Sequence, residues 1–596
     1  MNVEPVSDYD NNLTDFGKRT LSDRYLLDGE TYQGLFIRVA KAFANDEEHA
    51  KRLYSYMGRL WFMPATPVLA NGGTDRGLPI SCYLNSVEDT MQSILNSFEE
   101  VGWLSCRGGG VGTYWGNIRE VGSSVQGRKG AEGVIPFLQI QNSYTKAMNQ
   151  GSVRGASSAF YLDVDHPEIE EFVEIRKPTG GDPERKTLYS HHGIIVNDEF
   201  MSAVISDEPF PLKSRDTGET VKEINARKLW TKILATRMEQ GEPYLMFKEA
   251  IDDGRPEVYK KLGLQVRQSN LCTEITLATG TDHSGVNRTA VCCLSSLNLE
   301  KFDEWKNDKQ FILDVMYFLD NVLQTFINKA EHLPGFEKAV YSARSERAVG
   351  LGVMGFHGYL MSKMIPVESP MAIGQNKAIF NHIQMEVDRA DDTIARDRGP
   401  CPDAYEAGLL KRFSHKTAIA PTASISTICG QSTPGIEMIP ANFFIHKTDS
   451  GTHAVKNKHL VRVLEDKISV GDFPEEKWSW FWQKVQEHDG SVQWTESELT
   501  DHEREVFKTA FEVDQRYIID LAADRKDNID QGQSLNLYFA GDADKRYIND
   551  VHLRGYHKGL KTLYYCRSSS VVKAKTVGHD SIGSPIVAAD ECLACQ

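Results

Sequence analysis

The chain reads as an α/β protein with much parallel strand pairing. Short apolar stretches such as "GIIVN" (193–197), "SLNLYF" (534–539) and "TLYYC" (562–566) have strand-like composition. Longer stretches such as "QFILDVMYFLDNVLQTFINKA" (310–330) carry apolar residues at helical spacing. The two kinds alternate along the chain, which is the pattern of sheets whose parallel strands are joined by helices. No repeat of solenoid period is present. With 596 residues the chain exceeds what one small core organises, so more than one structural unit is expected.

The elements follow in order. The first part is helical: "ETYQGLFIRVAKAFA" (30–44) and "EEHAKRLYSYMGRLWF" (47–62) each place an apolar stripe on one face. "MPATPVLANGG" (63–73), with two prolines and two glycines, reads as a loop. In "DTMQSILNSFEEVGWLS" (89–105) Met91, Ile94, Leu95, Phe98 and Val101 share a helical face. Two glycine-rich runs, "RGGGVGTYWG" (107–116) and "NQGSVRGAS" (149–157), read as turns or phosphate loops, although neither matches a P-loop or dinucleotide fingerprint. After Cys566 the sequence turns to Ser, Gly and small residues without helical period, the composition of a flexible tail.

Composition narrows the function classes. A net charge of −16 argues against a partner that is polymeric nucleic acid, since such binders present a basic surface. There is no apolar run long enough to cross a bilayer and no signal-peptide pattern at the start, so a membrane role is not expected. Ten scattered cysteines without export signals point to reduced thiols in a cytoplasmic setting.

The cysteines then become the candidates for chemistry. In "NLCTEI" (270–275), read as a strand, Asn270, Cys272 and Glu274 point to one face. A packed core would not choose an amide, a thiol and a carboxyl together, because each polar group needs a partner once it leaves water. In "AVCCLSSLNL" (290–299) Cys292 and Cys293 fall on opposite faces of a strand, so one of them can join a pocket while the other packs. Cys82 lies on the strand-like "GLPISCYLNS". The chain ends in "ECLACQ", where Cys592 and Cys595 form either a redox dithiol or half of a zinc site, His579 being the tail's one histidine. A flexible chain from Cys566 to Cys592 reaches about 25–30 Å root-mean-square. "APTASIS" (420–426) offers hydroxyls and backbone donors, as a phosphate cradle or a helix cap. Tyr564 and Tyr565, read as strand residues, would point to opposite faces.

Together, "RYLLDGET", "SNLCTEI", "RAVGLGVMGFH", "APTASIS", "QSLNLYF" and "LKTLYY", in this order, resemble the catalytic (α, large) subunit of class I ribonucleotide reductase. The resemblance implies a ten-stranded α/β barrel with a central finger loop, here spanning 76–566, behind a short helical N-terminal region (1–75) and ahead of a flexible redox-active tail (567–596). It implies reduction of ribonucleoside diphosphates to deoxyribonucleotides, with Cys272 as the thiyl radical, Glu274 as general base and Asn270 holding the cluster. Cys82 and Cys292 would be the reducing pair, Cys293 a bystander, and Tyr564 and Tyr565 the relay for a radical generated by the metal cofactor of a separate β subunit. No cofactor would be bound by this chain itself.

Cys592 and Cys595 would pass electrons from thioredoxin or glutaredoxin. Substrate phosphates would meet Thr66, Ser81, Pro421, Thr422, Ala423 and Ser424. The nucleotide effectors ATP, dATP, dTTP and dGTP would meet Asp89, Arg119, Gln150 and Arg154, beside a helix (Met91 to Val101) that pairs two α chains into a homodimer. The stretch ahead of Met63 is too short for the ATP-cone domain of many relatives, so no dATP off-switch is expected on this chain. The tyrosine pair sets this reading against an adenosylcobalamin-dependent class II reductase, which makes its radical in place. A nucleotide-binding regulator without catalysis would have no use for Cys82, Asn270, Cys272, Glu274 and Cys292 together.

Overall fold

The computed structural model describes residues 1–125, 127–148, 155–448 and 451–569. Gln150, Arg154, Cys592, Cys595 and all but the first three residues of the expected tail lie outside these. Helices Asp15–Arg24, Tyr32–Phe43 and Glu47–Gly58 open the chain, each started by a side chain (Thr14, Thr31, Asp46) that accepts a hydrogen bond from an otherwise unpaired first-turn amide. Their apolar faces, with Leu21, Phe36 and Leu53, join the same buried cluster as the rest of the chain. The expected loop at 63–73 is instead the strand Phe62–Pro64 followed by the helix Thr66–Asn71. Pro67 sits in the first turn of that helix, where a missing N–H leaves no bond unmade.

The remainder builds a closed ring. Strands Cys82–Ser86, Gly110–Tyr114, Ser157–Asp163, His191–Val196 and Tyr244–Phe247 run parallel, neighbour to neighbour. A second set of five also runs parallel. Leu294–Asn298 pairs with Gly350–Met354, bridges at Leu351–Thr417 and Ile419–Gln533 carry the pairing on, and Leu537–Phe539 pairs with Cys566–Ser568. The two halves meet antiparallel at two short seams, Ala290–Val291 against Tyr83–Leu84 and Thr562–Leu563 against Leu245–Met246. The ring therefore has ten segments, the expected architecture. Its last strand reaches Ser568. Between ring segments 417–419 and 533–539 the chain makes an excursion with its own small apolar cluster, including Phe443, Leu460, Phe481 and Trp482.

A stretch with no regular structure, Gln268 to Thr279, is buried throughout. It touches both halves of the ring. Gln268 Nε2 donates to the Asn85 carbonyl at 2.6 Å, and Gly532 N donates to the Glu274 carbonyl at 2.7 Å. The stretch thus threads the interior as the expected finger loop. Room for it comes from bare backbone in the wall: a Cβ on Gly112 would lie 2.2 Å from the Ser269 carbonyl oxygen, and one on Gly532 would lie 2.8 Å from that of Thr273. The run "RGGGVGTYWG", expected as a turn or phosphate loop, accordingly holds the wall strand Gly110–Tyr114, and Gly112 in it serves close approach. Gly112→Ala should lower folding stability by about 1–3 kcal/mol, the usual range for overpacking. Urea denaturation would measure this, and unchanged stability would mean that the loop does not press on the strand.

Candidate active site

The finger loop does not carry its polar residues on a strand. Thr273 takes a left-handed conformation (φ 63°), so the segment turns between Cys272 and Glu274, and the alternation read from sequence does not apply. Side chains hold the turn instead. Asn270 Oδ1 accepts from the Ile275 amide at 3.3 Å, and the Ser269 hydroxyl donates to the Ile275 carbonyl at 2.6 Å, closing the loop on itself. Asn270 Nδ2 points to the Cys82 sulfur at 3.4 Å, and Tyr161 donates to the Asn270 carbonyl. From the opposite half, the Ser534 hydroxyl lies 2.6 Å from the Cys272 carbonyl and 3.2 Å from Glu274 Oε2. Cys272 and Glu274 are both fully buried.

The first seam carries the thiols. Cys292 continues the antiparallel pairing opposite Cys82, its amide donating to the Cys82 carbonyl at 3.1 Å. The two sulfurs stand 2.9 Å apart. That is longer than the disulfide bond of about 2.05 Å and needs little movement to become one. Cys293 points the other way, its sulfur 3.5 Å from the Leu319 carbonyl, and burial, with the Asp320 charge behind it, pushes its thiol well up.

Ring direction places the remaining candidates. Because the halves are antiparallel, the start of strand Cys82–Ser86 and the end of segment 417–419 open on the same mouth. Ser81 and Thr422 belong to that mouth. Thr66 begins the helix after Pro64, whose partner Ser295 lies on the neighbouring strand, and its hydroxyl is 2.9 Å from that of Tyr25. Thr422 is left-handed (φ 59°), its hydroxyl accepts from the Gly435 amide at 2.7 Å, and helix Ala423–Ile428 follows, carrying Ser424. Asp89 and Arg119 lie past the far ends of strands Cys82–Ser86 and Gly110–Tyr114, joined by a 2.7 Å ion pair.

The second seam carries the tyrosines. Tyr564 and Tyr565 fall in the break between the strand pieces Thr562–Leu563 and Cys566–Ser568, and their rings lie 4.3 Å apart, centroid to centroid. Their backbones stay bonded to segment 535–537, the Tyr564 amide to the Leu535 carbonyl and the Leu537 amide to the Tyr565 carbonyl, yet the strand is interrupted here and the two rings meet rather than part to opposite faces. Tyr244 stands 4.9 Å from Tyr564 and 5.2 Å from Tyr565, and Arg567 lies over the Tyr565 ring at 4.5 Å. The Tyr565 hydroxyl is 3.4 Å from His191 Nδ1, which is 2.5 Å from Glu242 Oε1. Glu242 also meets Arg176 and His192. Burial alone would raise its carboxyl, yet Arg176 and the histidines hold it well below the usual range. Sequence reasoning passed over this cluster and Ser534. The adjacent histidines of "SHHGIIV" were its one local signal, and their partners come from distant segments.

Mild oxidation of the folded chain should therefore link Cys82 to Cys292 and leave Cys293 reduced, as read by peptide mapping after thiol alkylation. A bridge through Cys293 would contradict this geometry.

The chain matches the family described as "Ribonucleotide reductase, barrel domain" over residues 80–411 and 405–566, and that described as "Ribonucleotide reductase, all-alpha domain" over 11–77. It is 38% identical to the ribonucleoside-diphosphate reductase large subunit of Invertebrate iridescent virus 3, across 98% of this chain and 99% of the relative. It is also 38% identical to the putative large subunit of Frog virus 3 (isolate Goorha), across 95% and 96%. Among solved structures it is similar to the Actinobacillus ureae class Id ribonucleotide reductase alpha subunit, with a TM-score of 0.82, 32% identity, and 95% and 99% of the two chains covered. With the ring, the threaded loop and these matches in agreement, the chain belongs to the ribonucleotide reductase large-subunit family.

Proposed function

We propose that this chain is the catalytic subunit of a class I ribonucleoside-diphosphate reductase in which Cys272 carries the radical. The observation that carries the reading is the thiol pair Cys82–Cys292, at 2.9 Å, beside a buried loop bearing Asn270, Cys272 and Glu274. The Cys272 thiyl radical takes the 3′-hydrogen of the substrate ribose, and Glu274 takes the proton of the 3′-hydroxyl. The 2′-hydroxyl leaves as water with a proton from the dithiol. Cys82 and Cys292 supply two electrons in total and end as a disulfide, and Cys272 returns hydrogen to C3′. Each ribonucleotide consumes one dithiol and yields one deoxyribonucleotide, one water and one disulfide. Burial of the loop keeps water from the radical.

The packed pair Tyr564–Tyr565 favours a radical arriving from a β subunit, where the metal cofactor resides, over one made in place from adenosylcobalamin. Thr66, Ser81 and Pro421 to Ser424 would receive the diphosphate at their mouth of the ring. Asp89 and Arg119, with Gln150 and Arg154, would bind ATP, dATP, dTTP or dGTP. Helix Met91–Cys106 buries Ile94 and Val101 yet leaves Met91 and Leu95 61% and 55% exposed, an outward apolar face suited to a second α chain. Electrons from thioredoxin or glutaredoxin would arrive through Cys592 and Cys595.

Cys272→Ser should reduce turnover with a competent β subunit to background while nucleotide affinity, by calorimetry, stays near wild type. Near-normal product formation would remove Cys272 from its role. Tyr564→Phe and Tyr565→Phe should each stop the reaction without unfolding, since phenylalanine cannot be oxidised at accessible potentials. An active variant would return weight to a radical made in place. A Cys592→Ser/Cys595→Ser chain, pre-reduced, should give one burst of deoxynucleotide per site and then stall with thioredoxin, while a small dithiol restores part of the steady rate. Full thioredoxin-driven turnover would release the terminal pair from this work.

A further inference from the structure

Ser534 is not among the residues assigned above, yet it touches two of them. It is 1% exposed, and its one hydroxyl faces the Cys272 carbonyl at 2.6 Å and Glu274 Oε2 at 3.2 Å. A serine hydroxyl has a single proton, so it cannot donate to both acceptors at once. The backbone gives it no room to turn away: the Ser534 amide donates to the Ile419 carbonyl at 2.9 Å, and Gly532 two residues earlier donates to the Glu274 carbonyl at 2.7 Å.

Which acceptor wins depends on the carboxyl. An ionised Glu274 accepts only, and a hydrogen bond to a charged group is the stronger choice, so Ser534 donates to it. A protonated Glu274 has a proton to give. It then donates to Ser534 Oγ, and the serine proton turns to the Cys272 carbonyl.

We propose that Ser534 is a positioning residue whose hydroxyl follows the protonation state of Glu274 and reports it to the Cys272 peptide. Only hydroxyl orientation changes, and no covalent bond beyond the Glu274 proton transfer is involved. When Glu274 removes the 3′-hydroxyl proton, the peptide of the radical cysteine gains a donor in the same step. When Glu274 gives the proton up, that donor is withdrawn. The inference rests on the proposed role of Glu274 as base.

The titratable and charged groups on the elements gripping this loop are few. Cys272 is on the loop itself, Cys82 and Cys292 are at the first seam, and Tyr161 is on strand Ser157–Asp163. Tyr564 lies beside Leu535, Arg525 lies behind Gln533, Lys561 donates to the Asp530 and Gln531 carbonyls just before Gly532, and Tyr259 with Glu346 meets the loop's far end at Ala278.

The test compares Ser534→Ala, Ser534→Cys and Ser534→Thr in the full chain with its β subunit, using a small dithiol as reductant so that the tail is not limiting. Ser534→Ala should lower kcat about 10-fold, the order expected for a lost hydrogen bond to a charged group, with KM within about 2-fold. The acid limb of the kcat profile should move to higher pH by about one unit, because the ionised base has lost its donor. Ser534→Cys, a poor donor of similar shape, should move the limb the same way, which keeps the test informative if the alanine chain folds badly. Ser534→Thr, which retains the hydroxyl, should restore the limb. In a Glu274→Gln background, Ser534→Ala should add little. An unmoved limb in both the alanine and cysteine chains, or a loss confined to KM, would overturn the proposal. If Cys272→Ser is inactive while those limbs stay put, this inference alone fails; if Cys272→Ser is active, the functional reading beneath it fails.

Discussion

Most of the architecture follows from one demand: a dozen consecutive residues lie inside the ring without a helix or strand of their own, and their backbone groups must still be bonded. An unpaired peptide group away from water costs free energy comparable to a lost hydrogen bond, so the wall has to supply partners. It does so from both halves, through Tyr161 to the Asn270 carbonyl on one side and through Gly532 to the Glu274 carbonyl and Gln531 to the Thr276 amide on the other. The same demand explains why the wall gives up side chains at Gly112 and Gly532, and why Asn270 spends its side-chain oxygen Oδ1 bracing its own loop.

The elements that sequence made legible are those whose signal is local. The opening helices and the long helix Phe311–Ala330 follow from apolar spacing, and the opposed directions of Cys292 and Cys293 from the alternation of an extended chain. Ring closure came from the family resemblance, since its bridges at Thr417 and Gln533 join segments far apart in sequence and leave no periodic trace. Two errors share a cause. Glycines in "RGGGVGTYWG" signal either a turn or a close approach, and "NLCTEI" alternates as strands do, yet only the loop threaded against that strand decides both. The ring contact of Tyr564 with Tyr565 was hidden in the same way, by a two-residue break in a ladder.

The surroundings of the tyrosines show how a charged cluster can be kept in a dry interior. Glu242 is fully buried, and it stays ionised because Arg176 and two histidines converge on it from two other segments. Burial meanwhile pushes the Tyr244 hydroxyl well up, with Glu242's charge adding to the effect, so this aromatic neighbour remains a neutral phenol. Tyr565 is therefore bordered by a neutral phenol on one side and by fixed charges on the other.

The two antiparallel seams have a mechanical consequence. Every parallel pairing in the first half has a ladder of four or five residues, whereas each seam is laddered over two, the first extended by the Cys292 amide bond to the Cys82 carbonyl. A ring built this way has one stiff half-shell bounded by two joints, the seams, and a second half that is itself jointed at the single bridges Leu351–Thr417 and Ile419–Gln533. The thiol pair sits at one joint and the tyrosine pair at the other. Closing a bond between Cys82 and Cys292 would rivet the first joint and leave hinging to the second joint and the single bridges.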